Sequence, residues 1–391
     1  MSKKNRLRYL KYSIKGIFFH VIPLCILRIF PIDRRKVLIM SYEGKGFGDN
    51  GKYIAMAFHN LDSDIKIYWI TDDYAETLPD YVTPIKKRSI KLLYHTATAK
   101  IWIDNSRKLG YIIKRKKQYY IQTWHGGIAL KQVEKDAEAH LDADYVQSAQ
   151  KDSAMVNLMI SNSRFCTDMY RRAFWYDGEI MECGSPRVDI LFTCQADQKK
   201  EIKEKLGLQA EDHMILYAPT FRQDLGTECY KLDFKQILKA LSHGGEQWKF
   251  AVRLHPNISD KADFLQYDDE IINATSFPDM YELLAVSDIL ITDYSSVMFE
   301  AGFAKKPVFL FATDIEDYKQ DRNFYFDLEQ LPFPLATTNE ELIGHIEHFS
   351  KSEYEASVAE FNQSLGLNET GHASEKVSER ILQVIGKNDE E

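Results

Sequence analysis

The chain has 391 residues, 45% of them hydrophobic and 13% aromatic, and a formal net charge of −8. That is too long for a single core and too apolar for wholesale disorder, so two or three domains are expected. The acidic balance argues against general nucleic-acid binding. Five scattered cysteines with no Cys-x-x-Cys pair argue against a zinc site or disulfide framework and for free thiols in a reducing compartment.

In chain order, the first feature is a charge asymmetry. Residues 1–36 hold ten Lys/Arg and one acid, Asp33, giving +9 there and −17 over the remainder. The basic residues alternate with Ile17, Phe18, Phe19, Val21, Ile22, Leu24 and other apolar side chains. The apolar stretch 16–30 contains His20, Pro23 and Arg28 and is shorter than the ~20 residues of a spanning helix. No small-residue cleavage site follows it, which argues against a secretory signal. An in-plane amphipathic anchor on an anionic cytoplasmic leaflet fits this composition. The alternative is a first helix packed on the core with a solvated basic face.

From residue 37 onward, strand-like runs at 37–41, 65–70, 101–104, 119–123, 159–161, 214–217, 250–254, 289–292 and 308–311 alternate with helix-like stretches such as 90–99 and 280–285. Several runs are continuously apolar, as in strands covered on both faces. The alternation predicts parallel sheets with crossover helices. A charged helix near 195–213 divides the pattern, so residues 37–205 and 206–365 are read as two α/β domains. Residues 366–391 form a tail with an amphipathic helix over 373–385.

The chemistry is expected where strands end and loops begin. His125 follows Gln122-Thr123-Trp124 and precedes Gly126-Gly127, whose missing side chains permit close approach of a ligand. A neutral imidazole there can take a proton from a hydroxyl near pH 7. The competing reading is a structural histidine bonded to a loop carbonyl. In Arg253-Leu254-His255-Pro256, Arg253 and His255 share one face of an extended segment and suit phosphate oxygens. Asp293-Tyr294-Ser295-Ser296 follows a buried strand and opens a helix. Ser295 and Ser296 would sit where free N–H groups favour phosphate, or would simply cap the helix. Glu300, one turn on, is a candidate acceptor of ribose hydroxyls, and Thr220 with Arg222 follows another strand on the same side. Three segments carry less. The loop Gly44–Asn50 lacks the spacing of a nucleotide-triphosphate loop, Lys114-Arg115-Lys116-Lys117 suits a solvated loop or lipid phosphates, and Asp142-Ala143-Asp144 has no strand before it.

Taken in order, several strings resemble the CDP-glycerol:poly(glycerophosphate) glycerophosphotransferase family of teichoic-acid synthesis. They are Asp49-Asn50, Ile103-Asp104-Asn105, Thr123-Trp124-His125-Gly126, Gly184-Ser185-Pro186-Arg187, Pro219-Thr220-Phe221-Arg222, Arg253-Leu254-His255-Pro256, Asp293-Tyr294-Ser295-Ser296, Lys306-Pro307 and Phe324-Tyr325-Phe326-Asp327. The resemblance implies two Rossmann-like domains facing across a cleft, the glycosyltransferase-B-like (GT-B-like) α/β arrangement, with the donor held mainly by the second. It implies His125 as base and His255 as stabiliser of phosphate charge. Ser295 and Ser296 would hold the donor pyrophosphate, and Arg253, Asp293, Thr220, Arg222 and Glu300 would lie around it. Gly126, Gly127, Asp49 and Asn50 would be on the acceptor side. The chain departs from the pattern at Gly127, Glu300, Asn323 and Phe333, where the family usually has Thr, Asp, Gly and part of a Pro-Gly-Pro turn.

The expected reaction is transfer of glycerol phosphate from CDP-glycerol to a hydroxyl of a lipid-pyrophosphate-linked saccharide or growing teichoic-acid or capsular polymer, with release of CMP. No cofactor is assigned, and a divalent metal is left open although no residue pattern indicates one. The enzyme would sit peripherally on the cytoplasmic face of the membrane. The competing readings are a CDP-ribitol ribitolphosphotransferase, a sugar-nucleotide glycosyltransferase on the same fold, and a non-catalytic membrane scaffold.

Overall fold

The computed structural model describes residues 21–72, 78–222, 228–242, 245–254, 265–316 and 324–386. Two all-parallel sheets organise it. The first holds β1 (Asp33–Met40), β2 (Lys66–Thr71), β3 (Val82–Lys86), β4 (Ala99–Asp104), β5 (Tyr119–Gln122), β6 (Leu158–Ser161) and β7 (Glu179–Glu182), in the order β3-β2-β1-β4-β5-β6-β7. The second holds β8 (His213–Tyr217), β9 (Trp248–Val252), β10 (Ile271–Asn273), β11 (Ile289–Thr292), β12 (Val308–Phe311) and β13 (Leu335–Ala336), in the order β10-β9-β8-β11-β12-β13. In both, the chain reverses direction beside the first strand, the switch point where open α/β sheets bind ligands at their carboxyl ends.

Central strands such as β4, β6, β11 and β12 are buried throughout, because helices cover both faces. Several helices start on the caps their sequences offer. Ser89, Ser163 and Asp279 accept from the backbone N–H groups of Leu92, Cys166 and Tyr281. Four strands have no counterpart in the apolar pattern: β3, β7, β10 and β13. All four are sheet edges, short or polar, with Pro84 inside β3, which is how edges resist further pairing.

The domains are joined over a broad surface. One apolar cluster takes Tyr53, Ile128, Leu130 and Val188 from the first domain and Met214, Leu216 and Met298 from the second. The last helix, Ala373–Gly386, returns to the first domain, burying Val377 and Ile381 with Val37 and Ile39 of β1. No helix among the described residues is long and apolar enough to cross a membrane.

Candidate active site

His125 stands three residues past the end of β5. Its neighbour Trp124 holds φ +53°, a left-handed conformation uncommon for a bulky residue. Several contacts keep it there. Gln122 Oε1 accepts from the Trp124 N–H at 2.9 Å, and Asn50 Nδ2 donates to the Trp124 carbonyl at 3.1 Å. The indole meets Phe174 edge-on at 4.8 Å, with the Arg107 guanidinium over it. The two glycines differ in what they do. A Cβ at Gly126 would meet nothing closer than 3.9 Å, whereas one at Gly127 would come within 2.4 Å of Asn162 Nδ2. Their carbonyls accept from Tyr170 Oη and Cys166 Sγ, tying the loop to the helix Arg164–Ala173.

The His125 Nδ1 lies 2.7 Å from the Asn105 carbonyl. A carbonyl only accepts, so Nδ1 carries the proton and Nε2 is left as the basic nitrogen. The loop-carbonyl bond foreseen for a structural histidine is therefore present, and it fixes the tautomer a base requires. The ring has a solvent-exposed face, yet protein surrounds it closely on the other sides. That desolvation lowers its pKa below the ordinary 6.5, against the opposing pull of the Asn105 bond and the Asp49 carboxylate. His125 is therefore neutral at pH 7.

Beneath His125 lies a buried ionic cluster. Asp49 Oδ2 accepts from Tyr42 Oη at 2.6 Å and from Arg187 Nη1 at 2.9 Å. Arg187 also donates through Nε and Nη2 to Glu300 Oε1, at 3.0 and 2.6 Å, and Glu300 Oε2 accepts from Tyr281 Oη at 2.8 Å. Glu300 thus differs from its expected role toward ribose hydroxyls: it is 3% exposed and turned toward the first domain. Asp49 and Asn50 are likewise buried supports of the His125 loop.

On the second domain, Asp293 follows β11 and accepts from the Thr220 N–H at 2.9 Å and the Tyr294 N–H at 2.6 Å. Arg222 was expected to face a donor. Its guanidinium instead donates to Asp293 at 2.8 Å, to Asp314 at 2.7 Å, and to the carbonyl and hydroxyl of Thr220. Thr220, Arg222, Asp293 and Asp314 form one locked unit at the carboxyl ends of β8, β11 and β12. Asp314 was missed in the sequence, although its place just past β12 matches that of the other strand-end residues. Ser295 and Ser296 are half-buried before the helix Val297–Phe303. Ser296 makes no side-chain capping bond, and Ser295 Oγ accepts from Val297 N–H only at 3.5 Å. Arg253 follows β9, donates to the Phe277 carbonyl, and interacts electrostatically with Asp279 of its own domain and Tyr42 of the first. His255 and Asn323 lie outside the described residues. Among the described residues, no group of three or more His, Cys, Asp or Glu converges as a metal site.

Two all-parallel α/β domains, with the histidine loop on one and a strand-end polar unit on the other, make a GT-B-like arrangement. Residues 24–383 match the sequence model of the CDP-Glycerol:Poly(glycerophosphate) glycerophosphotransferase family, and the chain belongs to that family. It is similar to a teichoic acid poly(glycerol phosphate) polymerase of Bacillus spizizenii, at 31% identity over 95% of this chain and 98% of that one. A polymerase of the same description from Bacillus subtilis is 32% identical over 90% of this chain, which spans about half (49%) of its length. Among solved structures, the wall teichoic acid polymerase TagF, in a variant soaked with CDPG, superposes with a TM-score of 0.84 at 27% identity, covering 98% of this chain and 99% of that one.

Proposed function

We propose that the chain transfers glycerol phosphate from CDP-glycerol to a hydroxyl at the end of a teichoic-acid-type acceptor. His125 Nε2 takes the acceptor's proton. The freed oxygen attacks the glycerol-bearing phosphorus, a new P–O bond forms, the bond to the cytidylyl phosphate breaks, and CMP leaves. Arg253 and, by the family resemblance, His255 offset charge on the phosphates, while Ser295 and Ser296 hold the pyrophosphate. The observation that carries this reading is the Nδ1–H bond to Asn105, which leaves Nε2 as the free basic nitrogen of a neutral imidazole. His125→Ala should lower CMP release by about 10²–10⁴-fold with the fold retained. Wild-type release by that variant would remove the base from the account.

The acceptor is read as a lipid-pyrophosphate-linked saccharide, met at the cytoplasmic face of the membrane. Supporting this, Ile26, Ile29 and Phe30 are exposed beside the basic run, where Arg115 donates to the Phe30 carbonyl and Lys116 and Lys117 point outward. Residues 1–20 of the basic segment lie outside the described residues.

A further inference from the structure

Arg187 has no part in the chemistry proposed so far, yet it is among the most deeply buried large side chains, 1% exposed. It sits on the turn Pro186–Val188 just past β7, in the first domain. Its guanidinium is held by two carboxylates, one from each domain: Asp49 at 2.9 Å and Glu300 at 2.6 Å. Glu300 belongs to the helix that begins directly after Ser295 and Ser296.

Two routes lead from Arg187 to His125. Through the backbone, the Arg187 N–H donates to Asn50 Oδ1 at 3.1 Å, and Asn50 Nδ2 donates to the Trp124 carbonyl. Through the side chain, Arg187 holds Asp49, Asp49 accepts from Tyr42 Oη, the Tyr42 N–H donates to Asn105 Oδ1 at 2.8 Å, and the Asn105 carbonyl accepts from His125 Nδ1–H. Three residues along these routes, Tyr42, Asp49 and Trp124, have φ of +44°, +58° and +53°. Such conformations persist only where surrounding bonds over-determine them, and they gather at functional sites. A fork with five donors can serve both carboxylates and keep the cluster in register, which a lysine ammonium cannot do in the same geometry.

We propose that Arg187 is a positioning residue that couples the donor-side helix to the loop carrying the base. Glu300 is its anchor on the second domain and makes no contact with the donor. With the Glu300 bond formed, the Asp49–Tyr42–Asn105 chain holds the His125 ring. With it severed, the loop is released although nothing on the first domain has been removed.

This rests on His125 acting as the base, and the test separates the two claims. Arg187→Ala would strand two buried carboxylates and endanger the fold, so the full chain is compared with Glu300→Gln and Arg187→Lys. Both variants should lower kcat for CMP release by about tenfold or more, since small misplacements of a catalytic group are costly, with the donor KM unchanged to within about twofold. In the absence of any donor, amides of residues 123–130 should exchange faster with deuterium in both variants, and a thermal melt checks that each remains folded. A raised donor KM at wild-type kcat in Glu300→Gln would return Glu300 to the donor and overturn the proposal. Unchanged exchange at 123–130 in both variants would also overturn it, by confining the role to local packing. If the wild type itself released no CMP, the proposed reaction would fall, while the exchange result would still decide the coupling.

Discussion

The imidazole of His125 titrates in surroundings that favour its neutral form, chiefly through desolvation. The base works deprotonated, so activity is present above its pKa and lost as pH falls through it. Because that pKa is lowered, the acid limb of the kcat/KM profile should lie below pH 6.5, and it should vanish with the residual activity of His125→Ala. An acid limb above 6.5 would contradict the geometry. The position of His125, between a strand end and two glycines, was legible in the sequence, while the Asn105 carbonyl that fixes its tautomer was not. Arg222 and Glu300 show the opposite case: a sequence displays a charge and hides its partner. Arg222 meets Asp314 across 92 positions, and Arg187 meets Glu300 across 113. No local pattern announces either pairing. Arg187 lay in plain view within Gly184-Ser185-Pro186-Arg187, but nothing in the string says which way its guanidinium turns.

Among the elements, the central strands were legible, since a strand covered on both faces must be apolar along its whole length. The four edge strands were not. Edges are kept short or polar to avoid unwanted pairing, and those same features erase the signal. The strap formed by Phe324 and Tyr325 was also hidden. Phe324 bridges to Lys131, and Tyr325 Oη donates to Asp136 at 2.6 Å, so a string from the second domain clasps the segment just past the His125 loop. The N-terminal element carries its own prediction. The short helix Ile22–Leu27 lies against the helix Ile90–Thr98, Ile29 is 76% exposed, and Lys116 and Lys117 are exposed on the loop whose Arg115 donates to the Phe30 carbonyl. Buried apolar area and attraction to anionic lipid together set the affinity of such a face. The full chain should sediment with vesicles containing anionic phospholipid, and less so as salt is raised. A chain lacking residues 1–30 should stay in the supernatant; its sedimentation at the wild-type level would remove the anchor.

At the scale of the molecule, the same strand order built twice sets two carboxyl-edge loop clusters on domains that share one apolar interface. Polar bonds reinforce it near the site: Lys52 pairs with Asp279 and Glu282 at 2.6 Å, and Tyr53 Oη donates to Asp279 at 2.9 Å. Asp279 also caps the helix Met280–Val286, so one carboxylate fixes a helix start and a domain contact together. The doubly wound plan followed from alternation along the chain, whereas the way the domains meet depends on contacts far apart in sequence and came only from the structure. What the whole arrangement is for is the transfer itself. The most direct test incubates the full chain with CDP-glycerol and a synthetic lipid-linked acceptor, sets CDP-ribitol and a UDP-sugar beside it, and weighs the product by mass spectrometry. The account predicts acceptor heavier by whole glycerol-phosphate units, with one CMP released for each. Ribitol phosphate or a sugar added in preference, or an acceptor left unchanged, would contradict it.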